Sequence, residues 1–196
     1  MVKKCLLTFV FSVGCSMMLF SQDKNTESSK YDHVWEESEG LRRVRRGSLF
    51  GFIDREGIEV LPLKYYFAYD FSEGVAAVRY DGKFGFIDKE GREALPFLYD
   101  DGATFSEGMC AVNVGIVWAY INREGKQMMN FKYTHAYPYK EGRARVRFGK
   151  WGFLDKNGKE IIPLTYEAAE DFNDGRARVK KDGEWFYIDY NGNRIE

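Results

Sequence analysis

The sequence predicts an all-β fold: a tandem array of about five three-stranded antiparallel meander units, with an open twisted array favoured over a closed, propeller-like ring. Three observations carry this. Phe50, Phe84, Trp118, Trp151 and Trp185 each open a Gly-Phe-Ile-Asp motif or a variant of it, at spacings of 34, 34, 33 and 34 residues. A fixed period in that range marks a repeat architecture. Within each period, short apolar runs alternate with polar residues, the period-2 signature of a strand. The same glycine-bearing turns separate those runs at the same offsets, so each alignment column reads as one structural position. Units fit residues 31–64, 65–98, 99–132, 133–165 and 166–196.

Ahead of the array, Lys3 and Lys4 precede an apolar run from Cys5 to Phe20 and then the polar Gln22, Asp23 and Lys24. This order predicts a secretory signal peptide over 1–21, followed by a polar tether over 22–30. An apolar run of about 16 residues falls short of the roughly 20 that a membrane-spanning helix needs. The mature chain is therefore expected to be exported, to the periplasm, the cell surface or the medium, without a membrane span. Lipidation at Cys15 is the weaker reading, because Ser12 stands where a lipoprotein signal usually has leucine and the apolar run continues past the cysteine. Cleavage after Ser21 leaves Cys110 as the single cysteine, so no intrachain disulfide is expected.

The first strand of each unit is typified by Gly74 to Arg79 and its counterparts from Gly108, Gly142 and Gly175. One column holds Ala76, Cys110, Ala144 and Ala177, and two residues on come Val44, Val78, Val112, Val146 and Val179. These share a face because strand side chains repeat every second residue. Arg43, Arg45, Arg79, Arg145, Arg147, Arg178 and Lys180 lie on the other face, which predicts a half-buried strand with a charged outer side. Cys110 thus reads as a small buried residue. Arg42 occupies the otherwise small column in the first unit and Phe186 replaces the motif glycine in the last, as atypical end units would.

Tyr80-Asp81-Gly82-Lys83 and Lys181-Asp182-Gly183-Glu184 predict type I′ hairpins into the second strand. That strand ends at Asp54, Asp88, Asn122, Asp155 or Asp189, each followed three residues later by glycine, a type I turn in which the side chain accepts from the local backbone. The third strand carries Pro62, Pro96 and Pro163, and three residues later Tyr65, Tyr99, Tyr133 or Tyr166. Proline there places the strand at an edge. A polar link of about ten residues, with room for one helical turn, leads to the next unit. A unit of this size cannot bury its apolar face alone, so neighbours must stack.

Gly149-Lys150-Trp151-Gly152-Phe153-Leu154-Asp155, with Gly158 to Pro163 and Tyr166, resembles the WG-repeat family of bacterial proteins. The likeness extends over nearly all of the expected mature chain, and the middle unit departs from it at Ala119, Asn122 and Asn130. The resemblance implies an all-β repeat scaffold, exported or joined to other modules, with no established catalytic residues.

No catalytic, metal or cofactor site emerges from the repeat background. The recurrent aspartates are explained by turn capping, and neither an EF-hand nor a glycine-rich calcium nonapeptide is present. His33 and His135 lie in different links, away from any nucleophile motif. Arg42 to Arg46 aligns with Arg143 to Arg147 as a strand, and a net charge of -1 argues against nucleic-acid binding. Aromatic residues make up 17% of the chain, and those in the variable links are the binding candidates: Tyr66, Phe67 and Tyr69, and His135, Tyr137 and Tyr139. The expected function is non-enzymatic binding, with a protein partner preferred and a polysaccharide bound by the link aromatics as the alternative.

Overall fold

The structure, a computed structural model, describes residues 30–195, so the expected signal peptide and nearly all of the tether lie outside the described residues. The first unit comprises β1 (His33–Ser38), β2 (Leu41–Arg46), β3 (Leu49–Ile53) and β4 (Glu59–Tyr65). The second comprises β5 (Phe67–Ala68), β6 (Ala76–Tyr80), β7 (Lys83–Ile87) and β8 (Glu93–Tyr99), and the third β9 (Asp101–Gly102), β10 (Met109–Val114) and β11 (Val117–Asn122). In the fourth are β12 (His135–Ala136), β13 (Ala144–Phe148), β14 (Lys150–Leu154) and β15 (Glu160–Tyr166), and in the fifth β16 (Ala168–Ala169), β17 (Ala177–Lys181) and β18 (Glu184–Ile188). Every sheet is an antiparallel meander in chain order, none closes on itself, and strand packing runs between successive units. The fold is therefore the expected open all-β array.

The link adds a fourth strand to the three-stranded meander. Phe67 and Ala68 pair with Arg79 and Val78, and the equivalent dipeptide does the same in units three to five, where a helical turn had been allowed for. The link then turns at Ser72-Glu73-Gly74-Val75, whose end residues exchange backbone hydrogen bonds of 2.9 and 3.3 Å. Both central residues have positive φ, 53° and 84°, so this is a second type I′ hairpin per unit. The same geometry recurs at Glu39-Gly40, Glu107-Gly108, Glu141-Gly142 and Asp174-Gly175.

The Asp/Asn-x-x-Gly turns form as expected, with Asp88 Oδ1 accepting from the Arg92 amide at 2.9 Å and Asp155 Oδ1 from that of Lys159 at 2.9 Å. The motif glycine has a separate cause. A Cβ on Gly152 would sit 2.6 Å from the carbonyl oxygen of Ile162, because β15 bulges across it around Pro163. Unit three has Ala119 at this position, and there the strand that follows the motif is reduced to isolated bridges, Trp118 with Tyr133 and Ile121 with Gln127. The added methyl excludes the close crossing that units one, two and four use at Gly51, Gly85 and Gly152.

The core lies between units and not within them. Phe52, Leu61 and Tyr65 of the first unit pack against Ala76, Val78 and Ile87 of the second; Phe84, Phe86 and Leu95 of the second against Cys110, Val112 and Ile121 of the third. Both faces of an inner sheet are thus covered. The face expected to be charged and solvated carries Ala77 and Ala111, which are buried, in units two and three, and in units one and four Arg43 and Arg145 enter the junction. Burying one large apolar side chain contributes on the order of 1.5–3 kcal/mol, so each junction depends on both of its units.

Candidate functional site

The array has two edges. On one lie the Glu-Gly hairpins and the Asp-x-x-Gly turns; on the other lie the hairpins joining the second and third strands of each sheet, together with the residues that enter each short first strand.

The first edge is cross-linked along its length. The amide of Gly74 donates to Glu39 Oε2 at 2.9 Å, that of Gly108 to Glu73 at 3.0 Å, that of Gly142 to Glu107 at 3.0 Å and that of Gly175 to Glu141 at 3.0 Å. Each glutamate also meets the second residue of the next unit's Asp-x-x-Gly turn: Lys89 with Glu39, Arg123 with the Glu73 carbonyl, Lys156 with Glu107 and the Tyr190 hydroxyl with Glu141. The hydroxyls of Ser38, Ser72 and Ser106 donate to the carbonyls of Phe71, Phe105 and Tyr139 in the following unit, at 2.6, 2.8 and 2.6 Å. The Gly175 amide and then the Tyr190 hydroxyl hold the Glu141 carboxyl below the usual range. This edge is structural.

On the second edge, gaps between units open to solvent. The residue that follows the recurrent tyrosine faces its own hairpin in three units: Asp32 accepts from Gly47 N–H at 2.6 Å, Asp100 from Gly115 N–H at 2.7 Å and Glu167 from Gly183 N–H at 3.3 Å. Unit two has Tyr66 there. Phenol in place of carboxylate leaves a ring 60% exposed, standing between two grooves. One groove, about 590 Å³, is lined by Leu49, Leu63, Lys64, Tyr80 and Asp81; the other, about 350 Å³, by Phe67, Tyr69, Arg79, Phe84, Asp100 and Asp101. Phe67 is wedged between Phe50 and Phe84, with ring centroids at 5.5 and 6.0 Å, and Tyr69 meets it edge-on at 5.0 Å. Burial, then the Asp101 carboxylate, raises the Tyr69 phenol above its usual value. Lys83 of unit two pairs with Asp100 of unit three at 2.5 Å.

The structure thus gathers Tyr66, Phe67 and Tyr69 into one groove system and separates them from the second trio. His135 and Tyr137 flank Trp151 in unit four, with centroids at 5.7 and 5.8 Å. Tyr139 is no contact residue. It occupies the column of Phe71, Phe105 and Phe172, is fully buried, packs edge-on against Tyr120 at 5.1 Å and donates to the Asp155 carbonyl at 2.8 Å. The three phenylalanines of that column were the signal that could have placed it. Arg79 and the Asp100–Asp101 pair escaped the sequence reading, because a groove between repeats brings residues of two units together. Cys110 sits where expected; burial pushes its thiol up to about 12, and the Sγ donates to the Ala103 carbonyl at 3.1 Å. Among the described residues no group of three or more His, Cys, Asp or Glu side chains is placed to hold a metal ion.

The family model for the WG containing repeat matches residues 50–84, 84–115, 118–150 and 151–185 in tandem. The chain belongs to the WG-repeat family. No curated protein matches it in sequence. Among solved structures, a eukaryotic initiation factor superposes with a TM-score of 0.55 at 10% identity, over 83% of this chain and 53% of that one. Hsv2p of Kluyveromyces lactis gives 0.54 at 8% identity, over 83% and 61%. The extracellular domain of a protein described as a hybrid two component system of B. thetaiotaomicron gives 0.51 at 12%, over 82% and 28%. At these identities the likeness concerns the fold alone, and the WG-repeat chain spans little more than half the length of the first two.

Proposed function

We propose that this WG-repeat chain is an exported, non-enzymatic binding scaffold whose second edge, centred on Tyr66, takes a segment of a partner protein. The observation that carries the reading is the exposed Tyr66 ring between two grooves, in a column where other units turn the side chain back onto their own hairpin. Exposed aromatic anchors beside concave, partly polar walls are the usual centre of a protein contact. The N-terminal order of basic, apolar and polar residues supports export. A photo-crosslinking amino acid at position 66, used in intact cells, tests the reading. A discrete protein adduct that is lost in the Tyr69→Ala background supports it; labelling that ignores Tyr69 defeats it. A second reading is favoured by one feature: Arg79 and Asp101 offer a donor and an acceptor beside the aromatic wall, the chemistry that holds a neutral sugar. Adducts to glycan in the same experiment would select it.

A further inference from the structure

Two of the four junctions between units contain the same lock. Arg43 lies 4.1 Å over the Trp35 ring and pairs with Asp70 of the next unit at 3.1 Å; Arg145 lies 3.8 Å over Tyr137, in the Trp35 column, and 5.1 Å over Trp151, and pairs with Asp171 of the next unit at 2.8 Å. Both arginines are largely buried, with side-chain exposures of 11% and 15%. In each case the acid is followed by phenylalanine. Phe71 meets Phe52 edge-on at 4.8 Å, and Phe172 meets Phe153 at 4.9 Å. The two middle junctions have Ala77 and Ala111 in the arginine column and Thr104 and Pro138 in the acid column, so the halves of the lock are exchanged together.

The fifth unit presents part of this lock on its outward face, with Glu170 in the ring column of Trp35 and Tyr137. Arg178 is in the arginine column and lies 4.7 Å over Trp185. Its acid contact is a 3.9 Å approach to Glu170 of its own unit, with side chains 44% and 57% exposed. Tyr187 stands in the column of Phe52 and Phe153, half-exposed where those rings are buried, with the Arg176 guanidinium 4.7 Å over its ring. Trp185 is 39% exposed.

We propose that this face of the fifth unit is a docking site for a protein segment from outside the described array that carries Asp or Glu followed by an aromatic residue. The carboxylate takes the place that Asp70 and Asp171 take on Arg43 and Arg145, and the ring covers Tyr187 as Phe71 covers Phe52. The chemistry is selective. A guanidinium over an indole presents an N–H fork that matches a carboxylate and leaves a lysine or an amide without equivalent contacts. This surface is the far face of the fifth unit and shares no residue with the Tyr66 grooves.

The test titrates the ¹⁵N-labelled full chain with a peptide of its own residues 66–75, Tyr-Phe-Ala-Tyr-Asp-Phe-Ser-Glu-Gly-Val. The expected result is chemical-shift change confined to the fifth unit, led by the Trp185 indole and the Arg178 Nε–H. The same peptide with Asp70→Asn is expected to bind about ten-fold more weakly, the loss of one charge-assisted hydrogen bond. Arg178→Ala in the chain is expected to weaken binding by a similar factor without moving the melting temperature, since this side chain supports no junction, and Arg178→Lys to fall between. Equal binding of the two peptides, shifts centred on Tyr66 to Asp101, or no shifts at all would overturn the proposal.

Discussion

The two edges of the array use their turns in opposite ways. Along the Glu-Gly edge, one column is Glu39, Glu73, Glu107 and Glu141, and the column it meets is Lys89, Arg123, Lys156 and Tyr190. Along the other edge, the residue before each hairpin runs Arg46, Tyr80, Val114, Phe148 and Lys181, and Ile116 at a hairpin tip is 86% exposed. Invariance within the chain marks the contacts that join one unit to the next. Variation marks the surface that carries fewer such contacts, and that is where a partner can be recognised at less cost to the stack.

Four experiments sharpen this contrast or break it, beginning with the largest effect. Deleting Trp151 to Glu184 in phase removes a rung of one edge and a gap of the other, and it takes away most of one inter-unit core. Thermal unfolding should remain a single transition at a clearly lower temperature; an unchanged midpoint would mean that units are stable alone. Glu107→Ala should cost about 1–2 kcal/mol in chemical denaturation, because the Gly142 amide and Lys156 lose their shared acceptor. Acidification should act on the same edge. The depressed carboxyl of Glu141 contributes stability that is present above the ordinary glutamate range, near pH 4.5, and is lost as pH falls through its lower folded value. A melting temperature flat from pH 5 down to pH 3 would contradict the assignment. Tyr66→Ala, on the second edge, should move stability by less than about 0.5 kcal/mol while removing partner crosslinking. A larger loss of stability would erase the distinction between the edges.

Much of this was legible in the residues. The period, the Asp-x-x-Gly turns, the tyrosine column and the buried place of Cys110 follow from local rules and hold in the structure. The short strand at Phe67–Ala68 was hidden because two residues carry no periodicity. The role of Glu73 was hidden for a different reason. Glutamate at positive φ has no local preference that announces it, and its partners, Gly108 and Arg123, belong to the next unit. Its recurrence opposite a column of cations was visible, but the meaning of that recurrence needs the stacking geometry. Tyr139 was misplaced because its link was compared by its variable residues, when its own column is aromatic in units two to five.

The hydrogen bonds from Ser38, Ser72 and Ser106 and the glutamate clamps lie on one side of the stack only. On the opposite side the chain itself crosses from one unit to the next, through Tyr66 between β4 and β5, and Lys83 joins Asp100. The stack is thus fastened at both margins, by side chains at one and by the backbone at the other. A partner entering beside Tyr66 meets a gap whose spacing the backbone sets.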